Sequence, residues 1–169
     1  MRTLIIMVTL LVAPTWVAPT IPNPPIANNI EEKNEKKIKN MDLFLLDLGF
    51  QESGNRYDVV NRFGYMGKYQ FGKSTLKTLK IKVTRDAFLN SPDLQEYAMQ
   101  QLLLHNKRKL QKYINNFDGQ IIHGILAAAH LGGQGSVKKW FRSGKITQDG
   151  NGVKITHYMQ KFGGYNLDF

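Results

Sequence analysis

Met41-Asp-Leu-Phe-Leu-Leu-Asp-Leu-Gly-Phe-Gln-Glu52-Ser-Gly-Asn55 is the stretch whose reading decides the fold. Together with Ile38 just before it, Met41, Phe44, Leu45 and Leu48 recur at three- and four-residue spacing. That is the period of a helix with one buried face. The helix is expected to end at Glu52 to Gly54, since glycine readily takes the left-handed position that closes a helix. Glu52 then stands at the mouth of an apolar helix.

Downstream, Asn61-Arg-Phe-Gly-Tyr-Met-Gly-Lys-Tyr-Gln-Phe71 is rich in glycine and aromatic rings, and reads as a small hairpin or an irregular loop. Apolar surroundings favour the protonated form of a carboxyl group, and aromatic rings offer flat faces to the apolar sides of sugars. A carboxylate facing such a loop suits acid-catalysed cleavage of a glycosidic bond.

The rest of the chain is patterned for helices. Ser74 is expected to cap a short helix through Lys80. Ser91-Pro92-Asp93 offers a cap, a proline at the first helical position and an acid in the first turn, for a helix running to about Tyr113. Asp118 opens a helix of small and apolar residues, Ile121 to Leu131, expected to stop at Gly132-Gly133. Its three successive alanines allow close approach of another helix and mark it as the central one. Val137 to Phe141 forms a short helical piece, with Trp140 and Phe141 as packing residues. Thr156 is expected to cap a last helix through Phe162. The class is mainly α.

At 169 residues there is room for one compact domain. Residues 1–18 read as a signal peptide or a retained N-terminal anchor, because Leu4 to Val12 is apolar but too short to span a bilayer. Proline after Ala13 and after Ala18 disfavours cleavage at either place. Residues 19–37 read as a linker, proline-rich and then charged, and 38–169 as the domain. Cysteine is absent, which excludes disulfides and thiolate metal sites. The histidines show no paired ligand spacing, so neither metal nor cofactor is expected.

The formal net charge of +10 favours a polyanionic partner, whether nucleic acid, anionic lipid or anionic wall polymer. Export makes nucleic acid the poorest of the three. The basic run from Lys107 to Lys112 falls late in a helix, where cations complement the helix dipole.

Four segments together resemble one family, the soluble lytic transglycosylases and goose-type lysozymes. Glu52-Ser53 resembles their Glu-Ser pair, and Gly67-Lys-Tyr-Gln70 their Gly-Leu-Met-Gln element. Ala128-Ala-His-Leu-Gly132 resembles the Ala-Tyr-Asn-Ala-Gly element. Thr156-His-Tyr158-Met resembles the closing Thr-x-x-Tyr-Val, with one residue fewer between Thr and Tyr. The resemblance spans Met41 to Phe169. It departs from the family at Lys68-Tyr69 and at Ala129-His130.

The resemblance implies a lysozyme-like helical domain with a groove for glycan strands and Glu52 as the catalytic acid. It implies substrate contacts from Ser53, Gly67, Tyr69, Gln70, His130, Gly132 and Tyr158. Four of them have a plainer reading beside this one: a helix-end cap for Ser53, a structural amide for Gln70, core packing for His130 and Tyr158. Of Tyr69 and Phe71, which flank Gln70, Phe71 is the one expected in the core. Asp58 and Asp47 are the carboxylates considered for positioning a water, with a solvated or turn-capping residue as the alternative for Asp58.

The activity expected is that of an exported lytic transglycosylase in the periplasm, cell envelope or medium. It would cut the bond between N-acetylmuramic acid and N-acetylglucosamine in peptidoglycan and leave 1,6-anhydro ends. Its partners would be glycan strands and envelope machinery, with the protein a monomer. A hydrolytic muramidase, a chitinase- or chitosanase-like glycosidase, and a non-catalytic glycan-binding module are the alternatives.

Overall fold

The computed structural model describes residues 41–165 and 167, so the expected signal or anchor, the linker and Ile38 lie outside the described residues. The described chain is mainly helical, with three isolated antiparallel bridges and no sheet. Helix α1 covers 41–53 and buries Phe44, Leu45 and Leu48, the face expected from the spacing. It closes where predicted. The amides of Gly54 and Asn55 bond back to Phe50 and Gly49, and both residues have positive φ.

The segment between α1 and the next helix is an irregular loop pinned by two bridges, Val60 to Met66 and Met66 to Phe71. Its organiser is Gln95, a fully buried amide. Gln95 Oε1 accepts from the Lys68 amide at 2.8 Å, while Nε2 donates to the carbonyls of Tyr57 and Phe88. One side chain thus satisfies three backbone groups that burial would otherwise leave unpaired.

Helix α2 (Lys73–Thr78) starts at Gly72 with no side-chain cap, so Ser74 lies inside the first turn and does not cap it. Helix α3 (Arg85–Leu89) is an element for which the sequence reading has no counterpart. The Thr84 hydroxyl caps it by accepting from the Ala87 amide. Helix α4 (Pro92–Ile114) begins at the expected proline, with Asp93 in its first turn, but the Ser91 side chain makes no capping bond.

Helix α5 (Gly119–Ser143) opens on Asp118, whose Oδ1 accepts from the Gln120 amide at 2.8 Å. The predicted stop at Gly132-Gly133 is a kink. Gly133 adopts φ 74°, ψ 154°, a region essentially reserved for glycine, and the helix resumes through the stretch read as a separate piece. Ile125 to Ala129 are buried, as expected for a central helix, and α5 packs against both α4 and α6. Helix α6 (Ile155–Lys161) starts from Lys154, leaving Thr156 in its first turn without a capping role.

Close contact of α5 with α6 is set by glycine. A Cβ on Gly124 would stand 2.1 Å from the Met159 carbonyl oxygen. Phe162, at the end of α6, meets Phe44 of α1 edge-on at 6.0 Å. These two contacts seat the last turn of α6 against the middle of α5 and against α1.

Candidate active site

A cavity of about 270 Å³ opens at that junction, with Glu52 from α1, Gln70 and Phe71 from the loop, and His130 from α5 in its walls. The Glu52 side chain is only 13 % exposed. The Tyr158 hydroxyl donates to Glu52 Oε1 at 2.7 Å. Burial and then the neighbouring negative charge of Glu52 push the Tyr158 hydroxyl far above its ordinary range, so it stays a donor.

His130 Nε2 lies 3.7 Å from the same Glu52 oxygen, beyond hydrogen-bonding range but close enough for attraction when the ring is protonated. Its other nitrogen, Nδ1, is buried with no hydrogen-bond partner among the described residues. Phe71 packs edge-on against the His130 ring at 6.0 Å.

Gln70 lines the cavity with φ 51°, a left-handed conformation that a non-glycine residue adopts at some cost. Its Nε2 donates to the Gly67 carbonyl at 2.9 Å, which fixes the amide plane. Phe63 and Tyr65 supply the aromatic surface and are about half exposed. The three predicted residues Gln70, His130 and Tyr158 therefore gather around Glu52 or its cavity.

The other four expected contacts do not line the cavity and have scaffold duties. Ser53 Oγ donates to the Lys68 carbonyl at 2.8 Å and accepts from the Arg56 amide, tying the loop to the end of α1. Gly67 is glycine because a Cβ would lie 2.0 Å from Gln95 Oε1. Gly132 makes room for Ile155, whose methyl would be 2.7 Å from a Cβ.

Tyr69 is completely buried and donates to Glu96 Oε2 at 2.5 Å. Both rings flanking Gln70 are thus core, and Phe71 also forms cavity wall.

Lys68 meets the same carboxylate as Tyr69. Its ammonium is buried and pairs with Glu96 Oε1 at 2.7 Å, with Tyr57 donating to the same oxygen at 2.7 Å. Burial pushes the Glu96 carboxyl up, but donation from Lys68, Tyr69 and Tyr57 outweighs it and holds the group below its usual range. Burial, reinforced by the bond to Glu96, pushes Tyr57 up to about 12. Lys68 and Tyr69 thus form a polar anchor onto α4.

Neither Asp58 nor Asp47 reaches the cavity: both are exposed, and Asp47 accepts a hydrogen bond from Tyr165. The second carboxylate in the cavity wall is Asp149, in the loop before α6. Its Oδ1 accepts from the amides of Asn151 and Val153. Its charge also contributes to the raised Tyr158 hydroxyl.

Sequence reading treats Asp149-Gly-Asn-Gly152 as connection only. The available signal was its position just before the helix that carries Tyr158. Arg62 Nη2 donates to Asn151 Oδ1 at 3.1 Å, and Phe63 packs close to Gly150, so the two loops meet beside the cavity.

Comparison of the chain with protein-family models, curated proteins and solved structures gives no match.

Proposed function

We propose that the protein is an exported lytic transglycosylase with a lysozyme-like helical domain. Its substrate is the bond between N-acetylmuramic acid and N-acetylglucosamine in peptidoglycan. The observation that carries this reading is the shielded Glu52 carboxyl, held by the Tyr158 hydroxyl at 2.7 Å in a cavity with aromatic and amide walls. A general acid needs a fixed orientation and restricted water, and both follow from that arrangement.

With Oε1 engaged by Tyr158, Oε2 is the oxygen we assign to proton transfer. Protonated Glu52 gives its proton to the glycosidic oxygen as the bond to the anomeric carbon breaks. The substrate's own N-acetyl oxygen meets the positive charge left on that carbon. The Glu52 carboxylate then removes the proton of the muramic acid 6-hydroxyl, whose oxygen attacks the anomeric carbon and closes the anhydro ring. To Gln70 and His130, which line the cavity, we assign the holding of the N-acetyl and hydroxyl groups. Phe63 and Tyr65 offer their faces to the sugar rings.

A second reading, hydrolysis, is favoured by one observation, the presence of Asp149 in the same cavity wall. A second carboxylate able to hold and deprotonate water is what an inverting hydrolase uses. Digestion of purified sacculi separates the two. Anhydro ends formed by both wild type and Asp149→Asn support transglycosylation. Free reducing ends that disappear in Asp149→Asn mean hydrolysis.

A further inference from the structure

On the other side of α2 lies a second cavity of about 660 Å³, more open and wholly different in chemistry. Its charged lining is Lys73, Lys77, Lys80, Lys82 and Arg85, and no acidic side chain joins them. No described carboxylate pairs with any of the five. Between these cations, the part-exposed Ile81 and Val83 provide apolar surface over the buried Met66 and Leu76.

Two features of this groove work against the fold. Lys73 and Lys77 are like charges one helical turn apart, which weakens a helix. Lys80 has φ 60° at the residue that closes α2, with its amide bonded to Lys77 and the Ile81 amide bonded to Leu76. That is a Schellman closure with lysine at the position where glycine is the low-energy residue. A strained lysine lining a groove of unpaired cations points to a ligand that uses its charge.

We propose that this groove binds an acidic peptide segment, its carboxylates on the cationic rim and its small apolar side chains on the floor. Charge complementarity selects an anion, and the apolar floor favours an acidic peptide over a wholly polar polyanion. Resting on the transglycosylase reading, the source is the stem peptides of the wall polymer, which carry carboxylates and alanine methyl groups. The geometry fits one strand serving both places. Helix α2 turns Gly72 and Thr75 toward the catalytic cavity and Lys73, Leu76 and Lys77 toward the groove. The two sites are therefore about one helix diameter apart, roughly 10 Å.

The test uses the full chain and a fluorescein-labelled peptide of alternating alanine and glutamate, followed by anisotropy. Binding should weaken by about tenfold or more in Lys77→Glu/Lys82→Glu and fall with added salt. Lys109→Glu, an exposed cation outside the groove, should leave it unchanged. Lys80→Gly should bind more weakly yet melt higher, by roughly 2–4 °C, an opposition that a purely structural lysine does not produce.

Equal loss in Lys109→Glu, or binding unaffected by the groove changes, overturns the proposal. So does groove-dependent binding to phosphatidylglycerol vesicles without peptide binding, which would make this a membrane-facing surface. The peptide assay contains no glycan. Peptide binding with no cleavage of sacculi would keep the groove and remove the catalytic reading, and the converse result would do the reverse.

Discussion

Tyr158 does two things at once: it fixes Glu52 Oε1 and fills the space between α1 and α6. Replacing it with phenylalanine keeps the packing and removes the donor. Turnover of sacculi by Tyr158→Phe should fall by about 10- to 100-fold with the helical spectrum unchanged. The stability cost should be about 1–2 kcal/mol, because a shielded carboxylate loses a hydrogen bond. Lys68 gives the contrasting case. Lys68→Met should leave Glu96 without its cation and lower stability by about 2–3 kcal/mol in urea titration. That sits below the usual cost of breaking a buried pair because the Glu96 side chain is 28 % exposed.

The two residues also differ in how legible they were. Glu52, Gln70 and Tyr158 are polar groups at a helix end, in a glycine-rich loop and on a short final helix, positions that sequence alone marks. The roles of Lys68 and Tyr69 depend on Glu96, 28 and 27 positions away, and no local pattern carries that pairing.

At the level of elements, α5 shows why boundaries were harder to read than helices. Gly132-Gly133 has the composition of a helix stop. Yet the chain bends at Gly133 and continues, because the second arm has its own apolar anchor in the fully buried Val137 and in Trp140 and Phe141. Gly133→Ala should cost about 1–3 kcal/mol in thermal or chemical unfolding, since alanine has no comfortable place at that φ and ψ. It should also lower activity, because His130 and Leu131 enter the cavity just before the bend.

Gly124→Ala acts through α6. Its new methyl would collide with the Met159 carbonyl, displacing the helix that carries Tyr158. Its loss of activity should therefore exceed that of Tyr158→Phe and come with a lower melting temperature. The caps were read less well than the helices: Ser74, Ser91 and Thr156 have the right chemistry, but only Asp118 among the expected N-terminal caps makes its bond. Capping needs a backbone turned toward the side chain, and residue type alone does not determine that.

Across the whole molecule, the buried polar anchor around Glu96 sets the pH response. Its carboxyl sits below the usual range in the fold, so the folded state binds fewer protons there than the unfolded chain does. The associated stability is complete above the ordinary carboxylate range and is lost as pH falls through the folded value. Glu96→Gln should be less stable at neutral pH and show a flatter stability profile between about pH 5 and pH 3. At the alkaline end the sign reverses. Tyr57, Tyr69 and Tyr158 are all held protonated by the fold, so stability should decline above about pH 10 as the unfolded chain ionises its tyrosines.

The helical class was readable from apolar spacing. The second carboxylate of the cavity and the cationic groove were not: Asp149 lies in a loop, and the groove joins α2, the turn after it and the start of α3, whose meeting depends on packing elsewhere. The central claim, that Glu52 performs acid–base chemistry on peptidoglycan, is tested most directly by mass spectrometry of the soluble products from purified sacculi. Wild type and Glu52→Gln would be compared at equal concentration. Anhydro-muropeptides from wild type, with none from Glu52→Gln, are the predicted result. Equal products from the two proteins, or none from wild type, would contradict it.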